Sequence, residues 1–251
     1  MTAPPDPAPP GETTHFGYED IATDQKAGRV QGIFRSVVSR YDLMNDLMSA
    51  GIHRLWKRRL VELLAPRPGW RVADVAGGTG DVSRRIVAAE PSVTVLVVDL
   101  TPEMVAEGRA RTKGEQCLWL AGDAETLPLP DRSVDAYTIA FGLRNVARPE
   151  RALAEARRVL KPGGRFLCLE FSQVVLPVLD RLYAAYSFAV LPRLGAIVAG
   201  DAASYRYLAE SIRRFPSQPQ LARMMAGAGL SRTRWENLSG GIAAIHSAWR
   251  I

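Results

Sequence analysis

Short apolar segments alternate with amphipathic helical segments through the middle of the chain. Runs rich in Val, Leu and Ile cover residues 71–76, 93–98, 116–121, 134–141 and 165–171. Helical patterns lie between them, beginning near Gly80 and at Thr101 and covering residues 149–160. This alternation predicts an α/β fold in which helices cover both faces of a mostly parallel sheet. We therefore expect a ligand site beyond the carboxyl ends of the first strands.

Both ends of the chain add elements to this core. Apolar residues at three- and four-residue spacing over residues 25–65 predict an N-terminal helical lid. Residues 231–238 and 242–251 flank the turn Ser239-Gly240-Gly241 and predict an antiparallel hairpin that completes a seven-stranded sheet. The predicted divisions are a disordered tail (1–14), the lid (15–68), the core (69–173), an apolar helical insertion covering the substrate (174–218), and a C-terminal helix and hairpin (219–251).

The insertion and the net charge indicate a membrane surface as a partner. Residues 174–200 form the most apolar segment, but its longest uncharged run is the 11 residues 182–192. A spanning helix needs about 20 residues, so this segment predicts a contact with the bilayer and no crossing. The chain has 32 Lys+Arg and 26 Asp+Glu, a net charge of +6, and the proline-rich tail carries only Asp6 and Glu12 as charges. The remainder therefore carries 32 − 24 = +8, and we expect a cytoplasmic protein associated peripherally with the inner face of the membrane.

Simpler interpretations of these two features stay open. The basic clusters also fit solvated helix faces, and residues 174–200 also fit an ordinary core helix. A homodimer or a biosynthetic complex is left open as an assembly. Cys117 and Cys168 are too few for a disulfide framework and have no metal-ligand spacing, so we expect no bound metal.

The segment DVAGGTGD, residues 74–81, follows the first predicted strand and opens a helix. Glycines let the backbone approach a ligand, and a helix N-terminus offers free N–H groups. Asp99 ends the second strand, where a carboxylate can accept hydrogen bonds from ribose hydroxyls, and Asp123 and Ala124 follow the third, near an adenine edge. These three strand ends predict an adenosine site, with helix capping as the alternative role for Asp99.

The residues around the glycine loop distinguish two adenosine cofactors. The dinucleotide fingerprint fails because Ser83 stands where Gly or Ala is expected after Gly78 and Gly80. Asp81 would repel a pyrophosphate, whereas Asp74 and Asp81 favour a cationic sulfonium. The sequence therefore predicts S-adenosylmethionine rather than NAD, with Asp74 and Gly78 among the contacts.

Longer strings extend this prediction to a family. The strings DVAGGTGD, LPLPDRSVD and RRVLKPGG resemble the class I methyltransferase core. Over nearly the whole chain beyond the tail, the sequence is similar to the ubiquinone/menaquinone biosynthesis C-methyltransferase family, in the strings SRYDLMND, SAGIHRLWK, AFGLRN, LEFS and SGGIAAIHSAW. The resemblance implies a class I methyltransferase Rossmann-like fold. It also implies cofactor contacts by Thr79, Asp99, Asp123 and Ala124. One departure is Ala140, where the family often has Ser, so that any contact there comes from the backbone or is absent.

The implied reaction transfers a methyl group to a ring carbon of a polyprenylated quinol, either demethylmenaquinol or 2-polyprenyl-6-methoxy-1,4-benzoquinol. Such a carbon is nucleophilic when a neighbouring hydroxyl is ionised, and the pKa of a phenol, about 10, must be lowered for this. The resemblance assigns substrate activation to Arg144 and Asn145. Because a guanidinium stays protonated, we expect electrostatic stabilisation of the phenolate rather than base chemistry. The alternative is that Arg144 caps a helix or pairs with Glu170.

Three further residues are candidate substrate contacts. Tyr41 and His53 lie in the predicted lid and Tyr186 lies in the insertion. Packing for Tyr41 and a surface position for His53 are the alternatives, and His246 is expected to be structural.

Other functions of the same fold class stay open at this point. These are methylation of nucleic acid, methylation of another small molecule, and binding of adenosine without catalysis. Amino-group methylation of bases usually uses an Asn/Asp-Pro-Pro-aromatic turn, where this chain has Phe141-Gly142-Leu143-Arg144, and carbon methylation of pyrimidines usually needs a reactive cysteine. We therefore expect no nucleic-acid partner.

Overall fold

The computed structural model describes residues 12–37, 46, 49, 51–112, 114, 116–175 and 202–251. Its strands are β1 (Thr13–Phe16), β2 (Glu19–Ala22), β3 (Arg71–Val75), β4 (Thr94–Asp99), β5 (Cys117–Ala121), β6 (Val134–Ala140), β7 (Leu160–Phe171), β8 (Ser231–Leu238) and β9 (Ala243–Trp249). Its helices are α1 (Thr23–Val37), α2 (His53–Leu64), α3 (Asp81–Ala89), α4 (Pro102–Arg111), α5 (Pro149–Val159), α6 (Ala202–Arg214) and α7 (Gln218–Gly227). Short 3₁₀ turns cover Leu143–Asn145 and Ser239–Gly241.

Seven strands of the described chain form one sheet in the order β5-β4-β3-β6-β7-β9-β8. Strands β3 to β7 pair in parallel, whereas β9 is antiparallel to both of its neighbours. The predicted α/β fold with a mostly parallel sheet and a terminal antiparallel hairpin is therefore confirmed. The chain order reverses between β3 and β6, which makes the carboxyl ends of these strands the topological switch point where ligands bind.

The central strands are apolar on both faces because helices cover the sheet on both sides. In β4, Val95 and Val97 pack into the layer that contains Leu60 of α2 and Ile86 of α3. The intervening Leu96 and Val98 pack into the opposite layer, with residues of α5 and α7. An uninterrupted apolar run is what a strand buried on both faces requires.

Helix α2 follows the amphipathic pattern of its sequence. It buries Trp56, Leu60 and Leu64, spaced four residues apart, against the sheet. It ends at Ala65, whose φ of 44° is left-handed, and Pro66 follows immediately. A left-handed residue and a proline together stop a helix, because the first turns the backbone away from the helix axis and the second has no N–H to donate.

The N-terminal segment differs from the predicted lid. Residues Thr13–Phe16 and Glu19–Ala22 form a β-hairpin, so helical structure begins only at Thr23. Gly17, with φ 60°, forms the turn, and Phe16 packs against Tyr207 of α6. Part of the predicted tail and the start of the predicted lid are thus strand, because a contact with distant α6 stabilises it. The predicted divisions of the chain otherwise stay predictions.

Most other predicted boundaries agree with the structure to within a residue or two. The largest difference is β7, which begins at Leu160 instead of residue 165 and has a register shift against β6. Among the described helices, none combines the length and the apolar character that a bilayer crossing requires. Residues 176–201, which include most of the predicted membrane-contacting segment, lie outside the described part of the chain.

Candidate active site

The glycine loop connects β3 to α3 at the switch point of the sheet. Its backbone is fixed by a hydrogen bond from the Gly77 N–H to the Val98 carbonyl, 3.2 Å. Gly80 ends the loop with a left-handed φ of 80°, and a Cβ on it would lie 2.5 Å from the ring of Trp119. Only glycine satisfies both conditions, so the loop approaches the neighbouring strands more closely than other residues allow.

Asp99, at the end of β4, holds this loop in place. One carboxylate oxygen accepts a hydrogen bond from the Gly78 N–H, 2.8 Å, and the other accepts one from the Thr101 N–H, 2.9 Å. Burial raises the pKa of Asp99, although these backbone bonds oppose the shift. Each carboxylate oxygen can accept two hydrogen bonds. The two backbone bonds leave acceptor capacity on this carboxylate for ligand hydroxyls, as a ribose offers.

The end of β5 forms the next wall of the site. The Gly122 N–H donates to the Asp99 carbonyl, 2.9 Å, which aligns the two strand ends. Asp123 accepts the Glu125 N–H, 2.9 Å, and so shapes the turn that carries Ala124. The predicted meeting of the three strand ends is therefore observed.

These strand ends surround a cleft that is open to solvent on one side. Three elements line it: the strand ends and the following turns, the first turn of α4, and one face of α1. The lining residues are Ala27, Val30, Phe34, Ala76, Gly78, Asp99, Leu100, Thr101, Met104, Gly122, Asp123, Ala124, Glu125, Phe141, Gly142, Asn145, Val146 and Ala147. A mostly apolar cleft with a few placed polar groups is typical of a small-molecule or cofactor site.

Two of the predicted cofactor contacts lie beneath this cleft. Asp74 is fully buried and accepts hydrogen bonds from the hydroxyls of Ser83 and Thr138, 2.5 Å and 2.8 Å. Burial raises the pKa of Asp74 to about 6, although the two hydroxyl bonds oppose the shift. The side chain of Thr79 is also buried, and neither residue lines the cleft. Asp74 therefore supports the loop from below, because its bonds tie β3 to α3 and β6.

Asp81 does not offer a sulfonium the free charge that the sequence predicted. Asp81 pairs with Lys57 of α2 at 2.9 Å and with Arg85 at 3.0 Å. Burial alone would raise the pKa of Asp81, but these two cations hold it below its usual range. Its charge is therefore compensated within the protein and does not decide between cofactors.

Arg144 forms a buried ion pair at the carboxyl ends of β6 and β7. Its Nη1 donates to Glu170, 2.9 Å, and to the Phe141 carbonyl, 2.5 Å, and its backbone N–H donates to the same carboxylate, 3.2 Å. Burial raises the pKa of Glu170, with Arg144 opposing the shift. Arg144 therefore pairs with Glu170, as the alternative interpretation expected, and its role in substrate activation stays a prediction. Arg144 is not among the residues that line the cleft.

Asn145 does line the cleft. Its Oδ1 accepts a hydrogen bond from the hydroxyl of Tyr207, 3.0 Å, and its Nδ2 donates weakly to the Phe141 carbonyl, 3.4 Å. An amide nitrogen carries two hydrogens. Of the predicted pair, Asn145 is the residue that reaches the ligand space.

A residue with left-handed backbone precedes the turn that brings Asn145 to the cleft. Phe141 has φ 58°, which is unusual for a bulky residue, and it packs between Trp56 and Phe171. At Gly142 a Cβ would lie 2.4 Å from that of Ala76 in the neighbouring loop. The strained backbone is held by aromatic packing, a combination that recurs at functional sites.

The predicted substrate residues have mixed outcomes. His53 is buried rather than on the surface, and its Nε2 bonds with Asp46 at 2.9 Å. Burial lowers the pKa of His53, although Asp46 opposes the shift. His53 does not line the cleft, and Tyr41 and Tyr186 lie outside the described residues.

Several site residues were not predicted from the sequence. The face of α1 that lines the cleft has Ala27, Val30 and Phe34 at helical spacing, a signal that periodicity could have supplied. Lys26 is fully buried beside it, and its Nζ donates to the Arg144 carbonyl, 3.4 Å. Burial lowers the pKa of Lys26 to about 8. No local pattern marks Lys26 or Tyr207, because distant elements create both environments.

The described residues contain no cluster of His, Cys, Asp and Glu that could hold a metal ion. The chemistry of the cleft fits an adenosine cofactor instead. Asp99 supplies acceptors for two hydroxyls, and Ala124, Leu100 and Met104 offer apolar surface for a flat base.

The sheet order and the position of this cleft define the class I methyltransferase fold. Solved structures with the same fold include an S-adenosylmethionine-dependent methyltransferase from Thermotoga maritima, with TM-score 0.62 and 22% identity, covering 88% of this chain and 100% of that one. Another is an S-adenosylmethionine-dependent methyltransferase from Aquifex aeolicus, with TM-score 0.60 and 17% identity, covering 83% and 97%. Identities this low establish the fold alone.

The family follows from the sequence. The profile of the ubiE/COQ5 methyltransferase family matches residues 22–250. The "Ubiquinone/menaquinone biosynthesis C-methyltransferase UbiE" of Methylobacterium nodulans is 57% identical over 247 residues, 95% of this chain and 97% of the relative. The protein of the same name from Ruegeria sp. is 55% identical over 243 residues, with the same coverage. The chain belongs to the ubiE/COQ5 methyltransferase family. The predicted resemblance, the methyltransferase activity and the S-adenosylmethionine cofactor are thereby confirmed.

Proposed function

We propose that this protein methylates a ring carbon of a polyprenylated quinol in the synthesis of ubiquinone, menaquinone or both. The names of its relatives support this substrate class. The observation that carries the proposal is the wall of the cleft around Asn145. That wall is apolar, with Phe34, Phe141 and Val146, and Asn145 contributes an amide. Such a surface suits an aromatic ring with a hydroxyl to be hydrogen-bonded.

The residues of the chain have separate parts in this reaction. When bound, S-adenosylmethionine supplies an electrophilic methyl group on a sulfonium. Asp99 holds the ribose hydroxyls, and α1 excludes water from the cleft. The Asn145 amide donates to the quinol oxygen as that oxygen ionises and loses its proton to water. The ring carbon would take the methyl group as the bond from that group to sulfur breaks, which would leave a neutral thioether. The same carbon would then lose its own hydrogen as a proton, which would restore the aromatic ring.

Arg144 supports this step from behind the cleft wall. Its ion pair with Glu170 compensates most of its charge, so its effect on a phenolate is smaller than that of a free cation. Its bonds to Glu170 and to the Phe141 carbonyl fix the turn that carries Asn145. A group held rigidly at the developing charge stabilises it without reorganisation. In this proposal Asn145 contacts the acceptor and Arg144 positions it.

The substrate class can be tested directly with purified protein. The protein is incubated with S-adenosylmethionine and one of three acceptors in separate reactions. These are a short-chain demethylnaphthoquinol, a short-chain benzoquinol, and RNA from the cells that produce the protein. Mass spectrometry should find one added methyl group on a ring carbon of one or both quinols, and the pattern identifies the ring. Methylation of the RNA, or of neither quinol, would refute the proposal.

The insoluble tail of such a substrate requires contact with a membrane surface. The net charge of +6 favours anionic lipid. Ile52, just before α2, and Leu55, within it, are 39% and 63% accessible and lie near Arg58, which pairs with Glu62. Exposed apolar residues next to basic ones are typical of a surface that docks on lipid. We include in this proposal a contact of residues 174–200 with the membrane. It also includes assembly as a homodimer or within a biosynthetic complex.

Flotation with vesicles measures the membrane contact. Binding to anionic vesicles should exceed binding to neutral ones and should fall with salt. Leu55→Glu should weaken it, whereas Leu118→Glu, at an exposed leucine of the edge strand β5, should not. Equal binding to both vesicle types, or equal effects of the two substitutions, would contradict electrostatic docking through α2.

A further inference from the structure

We propose that Tyr207 is a positioning residue for methyl transfer, because its hydroxyl sets the orientation of the Asn145 amide at the cleft wall. The inference rests on the proposed function in assigning Asn145 to the acceptor. Tyr207 lies on α6, more than 60 positions from the turn that it contacts, and its side chain is buried. Its hydroxyl donates to Asn145 Oδ1 at 3.0 Å.

Two neighbours of Asn145 select one orientation of its amide. In the observed orientation Oδ1 meets the Tyr207 hydroxyl and Nδ2 faces the Phe141 carbonyl, 3.4 Å. In the reversed orientation the amide oxygen would face the Phe141 carbonyl, and two acceptors would repel each other. The Phe141 carbonyl occupies one hydrogen of Nδ2, and an amide nitrogen has a second. The Phe141 carbonyl therefore selects this orientation, and the Tyr207 hydroxyl holds the amide in it by donating to Oδ1, so that a donor stays available to an oxygen that is gaining negative charge.

The surroundings of Tyr207 keep its hydroxyl protonated and in place. Burial raises the pKa of Tyr207, with Arg144 opposing the shift and Glu170 adding to it. The ring stacks on Phe16 of the N-terminal hairpin, with centroids 4.3 Å apart. The hairpin is itself attached to the turn region by a hydrogen bond from Thr14 Oγ1 to the Ala147 carbonyl, 3.1 Å. The N-terminal hairpin and α6 thus hold Tyr207 and the Asn145 amide in place.

Tyr207→Phe is the matched test, because it removes the hydroxyl and keeps the stacked ring. The turnover number with a short-chain quinol should fall about fivefold to tenfold, the effect of one neutral hydrogen bond. Binding of S-adenosylhomocysteine should stay within about twofold, because Asp99 and Ala124 are untouched. Tyr137→Phe is the control, since Tyr137 is also buried but stacks on Phe166 in the other layer of the core. It should leave turnover unchanged.

A double-mutant cycle shows whether Tyr207 acts through Asn145. Asn145→Ala should lower turnover more than Tyr207→Phe does, and the double variant should match Asn145→Ala alone. Additive effects, or normal turnover in Tyr207→Phe, would overturn the proposal. Nitrogen-15 NMR provides a readout that does not need a substrate. The side-chain amide signals of Asn145 are identified as those that disappear in Asn145→Ala. They should shift in Tyr207→Phe and not in Tyr137→Phe. If the wild type methylates no quinol, the proposed function fails, and the amide signals still decide whether Tyr207 orients Asn145.

Discussion

Asp99→Asn tests the cofactor site most directly, because it changes hydrogen-bond acceptors into donors with almost no change of shape. In the wild type the two carboxylate oxygens accept hydrogen bonds from the Gly78 and Thr101 N–H groups and keep acceptor capacity for ribose. In the variant one oxygen becomes an NH₂ group, which faces a backbone N–H and a ribose hydroxyl. At least one charge-assisted hydrogen bond to the ribose is lost, which costs about 1.5 to 3 kcal/mol. The dissociation constant should therefore rise by about 10-fold to 150-fold.

Calorimetry with S-adenosylhomocysteine measures this loss without turnover. A 2′,3′-dideoxy analogue of the same ligand should bind the wild type weakly and should lose little further affinity in the variant, because the hydroxyls are already absent. Asp131→Asn is the control, since Asp131 is an exposed partner of Arg158 outside the cleft. Affinity of Asp99→Asn within twofold of the wild type would refute the assignment of Asp99 to the ribose.

Three further predictions concern stability and the turn that carries Asn145. Gly142→Ala should lower both stability and cofactor affinity, because its Cβ would lie 2.4 Å from that of Ala76; thermal unfolding and calorimetry measure the two effects. Glu170→Gln leaves the Arg144 cation buried without its partner and should lower the free energy of unfolding by about 3 to 5 kcal/mol in urea titrations. Burial lowers the pKa of His246 to about 4, so this imidazole stays neutral in the fold while the unfolded chain takes up a proton below its ordinary value of 6.5. The contribution of His246 to stability should therefore fall by about 3 kcal/mol as pH decreases from 7 to 4, and His246→Gln should remove this part of the acid sensitivity.

Each of these effects has its own control. Gly32 lies in α1, and a Cβ added there would meet open space. Gly32→Ala should therefore stabilise the protein slightly, because alanine has the higher helix propensity. Glu107→Gln breaks a pair with Arg111 on the surface and should change stability little. Burial raises the pKa of Asp74 to about 6, so its titration changes stability over the same pH range as that of His246 but in the opposite direction. The contribution of His246 is therefore measured as the difference in stability between His246→Gln and the wild type. A decrease in stability with the same slope in both proteins would assign the acid sensitivity to other groups.

The adenosine half of the site could be predicted because local signals mark it. Glycines in the loop, Asp99 and Asp123 each follow a strand, and parallel strands place their carboxyl ends at one edge of the sheet. The identity of the ligand-binding edge is therefore a consequence of periodicity and chain order. The family strings then pointed to the methyltransferase class, which the comparison of whole sequences confirmed.

The acceptor half could not be predicted in the same way. The sequence alone determined the elements of the core, their order, the C-terminal hairpin and the cofactor edge, since hydrophobic spacing and turn residues act over a few positions. The N-terminal hairpin of β1 and β2 was not among them. Only the tertiary structure decided that Arg144 pairs with Glu170, that Asp74 supports the loop from beneath, and that Tyr207 bonds to Asn145. These contacts join residues that lie 26 to 64 positions apart along the chain. The burial that makes them strong arises only when the sheet and its helices pack together, which no local pattern encodes.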